Sequence, residues 1–142
     1  MSTKRSDILT YIGTMLGGIS DIKEVFVNKP TVVDLDTVSL PCAFVFSGPE
    51  NRLVDAHYSV IGYETWDWNV LVEVWAQDTD MEALLGTIHE KMHSGEQMNG
   101  KAVTSFRTGA NMMVVDPTQA LEVMSIDYSI IYRHIKGGMG GG

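Results

Sequence analysis

His89-Glu90-Lys91-Met92-His93 sets two imidazoles four residues apart with a carboxylate beside the first. On a helix this spacing stacks the rings one turn apart. That is the ligand geometry of zinc peptidases, in which the glutamate acts as general base on the metal-bound water. His89 and His93 are thus the candidate metal ligands, and Glu90 the candidate base. The surrounding residues argue against this use. At about 100° per residue, the run lies roughly 80–120° round from the apolar stripe that must face a core. Lys91 places a cation between the ligands. Glu96 and Asn99 stand where the extended H-E-x-x-H-x-x-G-x-x-H pattern needs Gly and His, and only the distant Glu122 and Asp116 offer a third ligand. Two histidines in the last turn of a surface helix, where partial positive charge is favourable, account for the run without a metal. The expectation is therefore no metal, no cofactor and no enzymatic activity, with a zinc hydrolase as the alternative of another class.

Other chemistry-bearing residues are weaker candidates. No Gly-rich phosphate loop follows a strand. Ser47-Gly48 and Ser94-Gly95 lack the G-x-S-x-G elbow of a nucleophilic serine. Asp34, Asp36, Asp78 and Asp80 have the means for acid–base work, but their positions suit caps and turns. Cys42, beside Pro41, is the lone cysteine, which rules out an internal disulfide and reads as a small buried hydrophobe. Trp66 and Trp68 resemble a base-stacking platform, yet at strand alternation they read as core. His57 and His134 lie in strands and read as structural.

The elements that must position these residues follow from periodicity. Ile8, Ile12, Met15 and Ile19 recur at helical spacing over residues 6–19, with Gly17-Gly18 near the stop. Short strands are predicted over 24–28 and 43–47, the second closed by turn chemistry at Gly48-Pro49-Glu50-Asn51. Residues 54–63 suit a strand of a projecting hairpin. Over 66–75 the alternation is clear, with Trp66, Trp68, Val70, Val72 and Val74 on the face expected to be core. Thr79-Asp80-Met81-Glu82 reads as a capping box, with Thr79 as the cap. It opens a helix whose stripe is Met81, Leu84, Leu85, Ile88 and Met92 and whose end is Gly95. Strands over 100–107 and 110–115, broken at Thr108-Gly109, lead to an Asp116-Pro117 turn. A long last strand follows, with Met124, Ile126, Tyr128, Ile130 and Tyr132 on one face. Most connections are too short for a crossover, so the fold class is α+β: two layers, a mostly antiparallel sheet with two amphipathic helices on one face. One domain over 1–136 and a flexible glycine-rich tail over 137–142 are expected.

Composition narrows the function. With 142 residues the chain suits a single core, and 44% apolar with 20% charged residues argues against disorder of the whole chain. The net charge of −8 argues against nucleic-acid binding, whose affinity comes mainly from phosphate contacts. No run approaches a membrane span and no charged-then-apolar leader opens the chain, so a cytosol-like compartment and no membrane partner are expected.

A resemblance covers most of the chain. The short first helix is followed by a strand, then by Asp34-Leu35-Asp36-Thr37-Val38-Ser39-Leu40-Pro41 and the apolar strand Cys42 to Phe46. The strand Trp68 to Ala76, the helix with Ala83-Leu84-Leu85, the Asp116-Pro117 turn and the alternating final strand ending in Tyr132 complete the order. This order resembles the tail terminator family (tail completion, minor tail protein U-like) of long-tailed bacteriophages. The resemblance implies a virion structural protein at the top of the tail, assembled in the host cytoplasm. Its copies would close into a homo-oligomeric ring, a hexamer, on the finished tail tube and stop its polymerisation. The ring would join the tube to a neck, head-completion or connector protein, with genomic DNA passing through the lumen without sequence-specific binding. A neck or head-completion protein of a tailed phage is the alternative within that class. The expected contact elements are the region 48–65 with Asn51, Arg52, Tyr58 and Tyr63, the long last strand with Arg133 and His134, and the tail with Met139. Exposed strand edges pair readily with another chain, and these elements would supply them.

Overall fold

The structure is a computed structural model, which describes residues 4–28, 39–53, 62–95 and 98–135. In chain order the elements are α1 (Lys4–Gly17), β1 (Glu24–Val27), β2 (Cys42–Leu53), β3 (Tyr63–Gln77), α2 (Met81–Ser94), β4 (Thr104–Asp116) and β5 (Leu121–Ile135). The strands form one sheet in the order β1-β2-β3-β5-β4. β1 runs parallel to β2, and the other three pairings are antiparallel. This is the α+β architecture expected from the sequence: a mostly antiparallel sheet with two helices. His57, Tyr58, Asp34, Asp36, Glu96, Met139 and the glycine-rich tail lie outside the described residues. Among the described residues no helix is long and apolar enough to cross a membrane.

The core forms where the helix stripes meet the alternating faces of the central strands. Ile8, Leu9, Ile12 and Leu16 of α1 are buried, as are Met81, Leu84, Ile88 and Met92 of α2. They join one cluster with Trp68, Val70, Val72 and Val74 of β3 and Met124, Ile126, Tyr128, Ile130 and Tyr132 of β5. The α1 stripe is displaced from the expected one: Leu9 and Leu16 are buried and Met15 only half-buried. The helix begins earlier, at Lys4, and ends at Gly17 rather than running on to Ile19. Ile19 is still buried, but in the turn beyond the helix.

Three local expectations are corrected. First, Gly48-Pro49-Glu50-Asn51 is not a turn. β2 runs through it, and a register shift falls between Ser47 and Glu50. Proline cannot donate to the ladder, and a bulge absorbs it without ending the strand. Gly48 is required there: a Cβ would meet Asn69 Oδ1 at 2.5 Å and its carbonyl oxygen at 2.8 Å. Second, 100–107 and 110–115 are not two strands. β4 is continuous, and Thr108-Gly109 produces only a register shift between Arg107 and Gly109.

Third, the cap of α2 is Asp80, whose side chain accepts from the Ala83 N–H at 3.1 Å. Thr79 instead donates its hydroxyl to the Gln77 carbonyl at 3.0 Å, and with Ala83 at the third helical position there is no reciprocal capping box. A carboxylate at the cap also meets the positive end of the helix. Asp80→Ala is accordingly expected to lower the unfolding free energy by about 1 kcal/mol, and Thr79→Ala by much less. Urea titration of the two variants measures the difference, and the reverse ranking would restore Thr79 as the cap.

Candidate functional site

The H-E-x-x-H run occupies the end of α2. His89, Glu90, Lys91 and His93 are all exposed, while Ile88 and Met92 between them point into the core. The two imidazoles stack at 6.3 Å between centroids. Among the described residues no three His, Cys, Asp or Glu side chains are grouped so as to hold a metal ion. Asp116 is committed elsewhere: its Oδ1 accepts from the Thr118 N–H and hydroxyl at the β4–β5 turn, and the hydroxyl holds its carboxyl below the usual range.

A polar network gathers where β2 is bulged. The register shift turns Glu50 toward the helix layer, where Tyr132 donates its hydroxyl to Glu50 Oε2 at 2.7 Å. Arg5 of α1 lies 3.8 Å from the same oxygen, and its guanidinium sits 4.5 Å from the centroid of the Trp68 ring. Arg5 and the Trp68 indole N–H both donate to the Ser47 hydroxyl. The network ties α1 to β2, β3 and β5. Arg5 and Ser47 also line a surface groove with Leu9 and Val27.

Three buried groups hold their protons more tightly than usual, the Cys42 thiol and the Tyr128 and Tyr132 phenols. Burial, with Glu24 and Glu73 nearby, pushes the Cys42 thiol from 9.0 up to about 11. Burial also pushes the Tyr128 phenol up to about 12 and raises that of Tyr132, to which the hydrogen bond with Glu50 adds. Each group binds its proton more tightly folded than unfolded. Their contribution to stability is therefore complete below the unfolded thiol value and lost as pH rises through the folded one. The urea midpoint is expected to hold up to about pH 9 and to fall between about pH 9 and pH 11. A midpoint unchanged at the upper end would contradict the burial of Cys42 and the tyrosines.

The expected contact residues separate. Asn51 and Arg52 are exposed, and Tyr63 is 46% exposed. Arg133 is half-buried, donates from Nε to Thr65 Oγ1 at 3.2 Å and lines a groove with Lys4 and Lys101. His134 is 3% exposed and packs between the Trp66 and Tyr132 rings, each 5.9 Å away, with Glu64 at 3.7 Å. It is a core histidine, as its strand position suggested, and not part of an outer surface.

The last strand does not offer an edge. β5 is bonded to β3 on one side and β4 on the other, so its backbone is already paired along both sides. The outer strand is β4. Phe106 is 50% exposed, Met113 57%, Val114 57% and Val115 44%. Phe106 and Met113 stand opposite Ser129 and Val123, on the face away from the helices. β4 contains neither lysine nor proline, the residues that ordinarily blunt a sheet edge.

Comparison with known proteins finds no family model that matches the chain and no matching curated protein. The arrangement has a buried core in which, among the described residues, Trp66 Nε1 and the Tyr128 hydroxyl have no hydrogen-bond partner, a solvent-facing histidine pair and a long apolar strand at the sheet edge.

Proposed function

We propose that the chain is a structural subunit of a tailed-phage virion: a tail terminator that closes as a ring on the finished tail tube. The observation that carries this reading is the exposed apolar edge of β4. A strand edge of 13 residues with four large apolar side chains at the surface is unfavourable in water and prone to pair with another chain. It suits a subunit whose work is to be covered by neighbours.

Ring closure needs unlike, complementary faces on each subunit. The sheet has unlike outer strands, the four-residue parallel β1 and the long antiparallel β4. The element order that resembles tail terminators gives the ring its place, as a hexamer on the tube end with a neck or connector protein on its other side. The net charge of −8 suits a lumen through which DNA slides without being held. On this reading the protein works in the host cytoplasm during assembly and then in the virion.

The test is tube growth. Tail tube protein is polymerised with and without the chain, and tube length is followed with time. The reading expects elongation to stop when the chain is added and the chain to sediment with the tubes. Unchanged growth without co-sedimentation would overturn it. Binding to the head connector alone would make the chain a neck or head-completion protein, and stoichiometric zinc lost in His89→Ala would redirect attention to α2.

A further inference from the structure

Lys4, Lys101 and Arg133 come from three separate parts of the chain and meet in one groove, lined also by Gly100, Ala102 and Val103. Lys4 opens α1, Lys101 stands between α2 and β4, and Arg133 lies near the end of β5. A left-handed φ of 83° at Gly100 turns the chain into the groove wall. The groove holds about 360 Å³, which is within the size range of small-molecule sites. All three cations are half-buried, and among the described residues none of them forms an ion pair. No Asp or Glu is among the described residues that line the groove.

This convergence runs against the composition. With 18 acidic and 10 basic residues, most basic side chains could be neutralised by a neighbour, as Arg5 is by Glu50. Lys4, Lys101 and Arg133 instead share one concavity with their own kind. Their mutual repulsion is relieved by an anion, and a cleft lined by one sign of charge concentrates ions of the other sign.

Arg133 narrows the kind of anion. Its Nε donates to Thr65 Oγ1 at 3.2 Å, which fixes the guanidinium plane and leaves the terminal nitrogens unengaged among the described residues. A guanidinium held in this way offers a planar fork to a phosphate or carboxylate, and the two ammonium groups add point charges. Three cations match the charge of a phosphate monoester, about two negative units, better than that of a single carboxylate. A nucleic-acid strand would need a basic track beyond one phosphate, against which the net charge of −8 argues. We propose that this groove binds the phosphate group of a small phosphate monoester, with Lys4, Lys101 and Arg133 as its ligands. The site goes beyond the tail terminator reading and does not depend on it.

Titration of the full chain with inorganic phosphate, followed by calorimetry and by melting temperature, tests the site. Saturable binding of one phosphate per chain is expected, with a melting temperature that rises as phosphate is added. Acetate at the same ionic strength should produce neither effect. Lys4→Glu and Lys101→Glu should each weaken binding by at least about tenfold, since each removes a charge-assisted contact and adds a repelling carboxylate. The two positions lie in different elements, and melting without phosphate checks the fold of each variant. Arg133→Lys keeps the charge but loses the fork, so it should also weaken binding. Lys23→Glu makes the same change of net charge outside the groove, where Lys23 reaches the Ser20 carbonyl, and should leave binding unaltered. Phosphate that does not saturate, acetate that binds as tightly, or equal losses in Lys23→Glu and Lys101→Glu would each overturn the inference. So would a short oligonucleotide without a terminal phosphate that displaces phosphate at lower concentration, which would make the groove a nucleic-acid contact. A chain that caps tubes but ignores phosphate removes this inference alone, whereas one that binds phosphate but ignores tubes removes the tail reading alone.

Discussion

Met113→Lys is expected to abolish self-association and tube capping while leaving the fold intact. Met113 is 57% exposed on the face of β4 away from the helices, so a lysine there keeps its ammonium in water in the isolated chain. Surface substitutions of this kind shift stability by no more than about 0.5 kcal/mol. In any complex that covers the edge, the same ammonium is buried without a partner. Such a penalty is about 2–5 kcal/mol, or at least about thirtyfold in affinity. Val115→Lys, 44% exposed on the same strand, should act in the same direction. Melting curves and sedimentation on one sample separate the two effects. Unaltered association with either lysine would mean that β4 is not a contact surface.

Trp68→Ala is expected to cost about 3–5 kcal/mol of folding stability, a large part of what a domain of this size possesses. Trp68 is fully buried at the centre of β3, in edge contact with Tyr132, with its indole N–H on Ser47 and the Arg5 guanidinium over its ring. Truncation opens a cavity between the sheet and α1. It also removes the surface that orients Arg5 toward Glu50. Trp68→Phe retains most of the ring and should cost much less. Chemical denaturation of both variants measures the pair. A loss below about 1 kcal/mol for the alanine variant would contradict the burial of this side chain and the packing of α1 on the sheet.

These two positions differ in how readily the sequence shows them. Trp68 was legible because β3 alternates from there onward, and Trp68, Val70, Val72 and Val74 are all buried as expected, whereas Trp66 of the same expected face is only half-buried. The α2 stripe was legible for the same reason, and Gly95 does close the helix. The β2 bulge was not legible, because Gly-Pro is ordinary turn chemistry. The pairing of Glu50 to Leu53 with Thr65 to Trp68 shows that the strand passes through. Thr108-Gly109 likewise reads as a break, although in β4 it produces only a register shift.

The exposed edge strand was not legible in the sequence for a reason of topology. Strand length drew attention to β5, but β5 lies between β3 and β4, a placement that periodicity along one strand does not reveal. A local signal for β4 was present. Met112-Met113-Val114-Val115 is a run of four apolar residues that breaks the alternation of a half-buried strand, and such a run puts large side chains on both faces. In β5 the corresponding run, Ile130-Ile131-Tyr132, is buried on both faces because the strand is central. In β4 it is left at the edge.

Electron microscopy of the chain mixed with purified tail tubes tests the central claim most directly. The account predicts a closed ring of the chain at one end of each tube, and rings lost with Met113→Lys. Tubes bare at both ends, with the chain free in solution at saturating concentration, would contradict it.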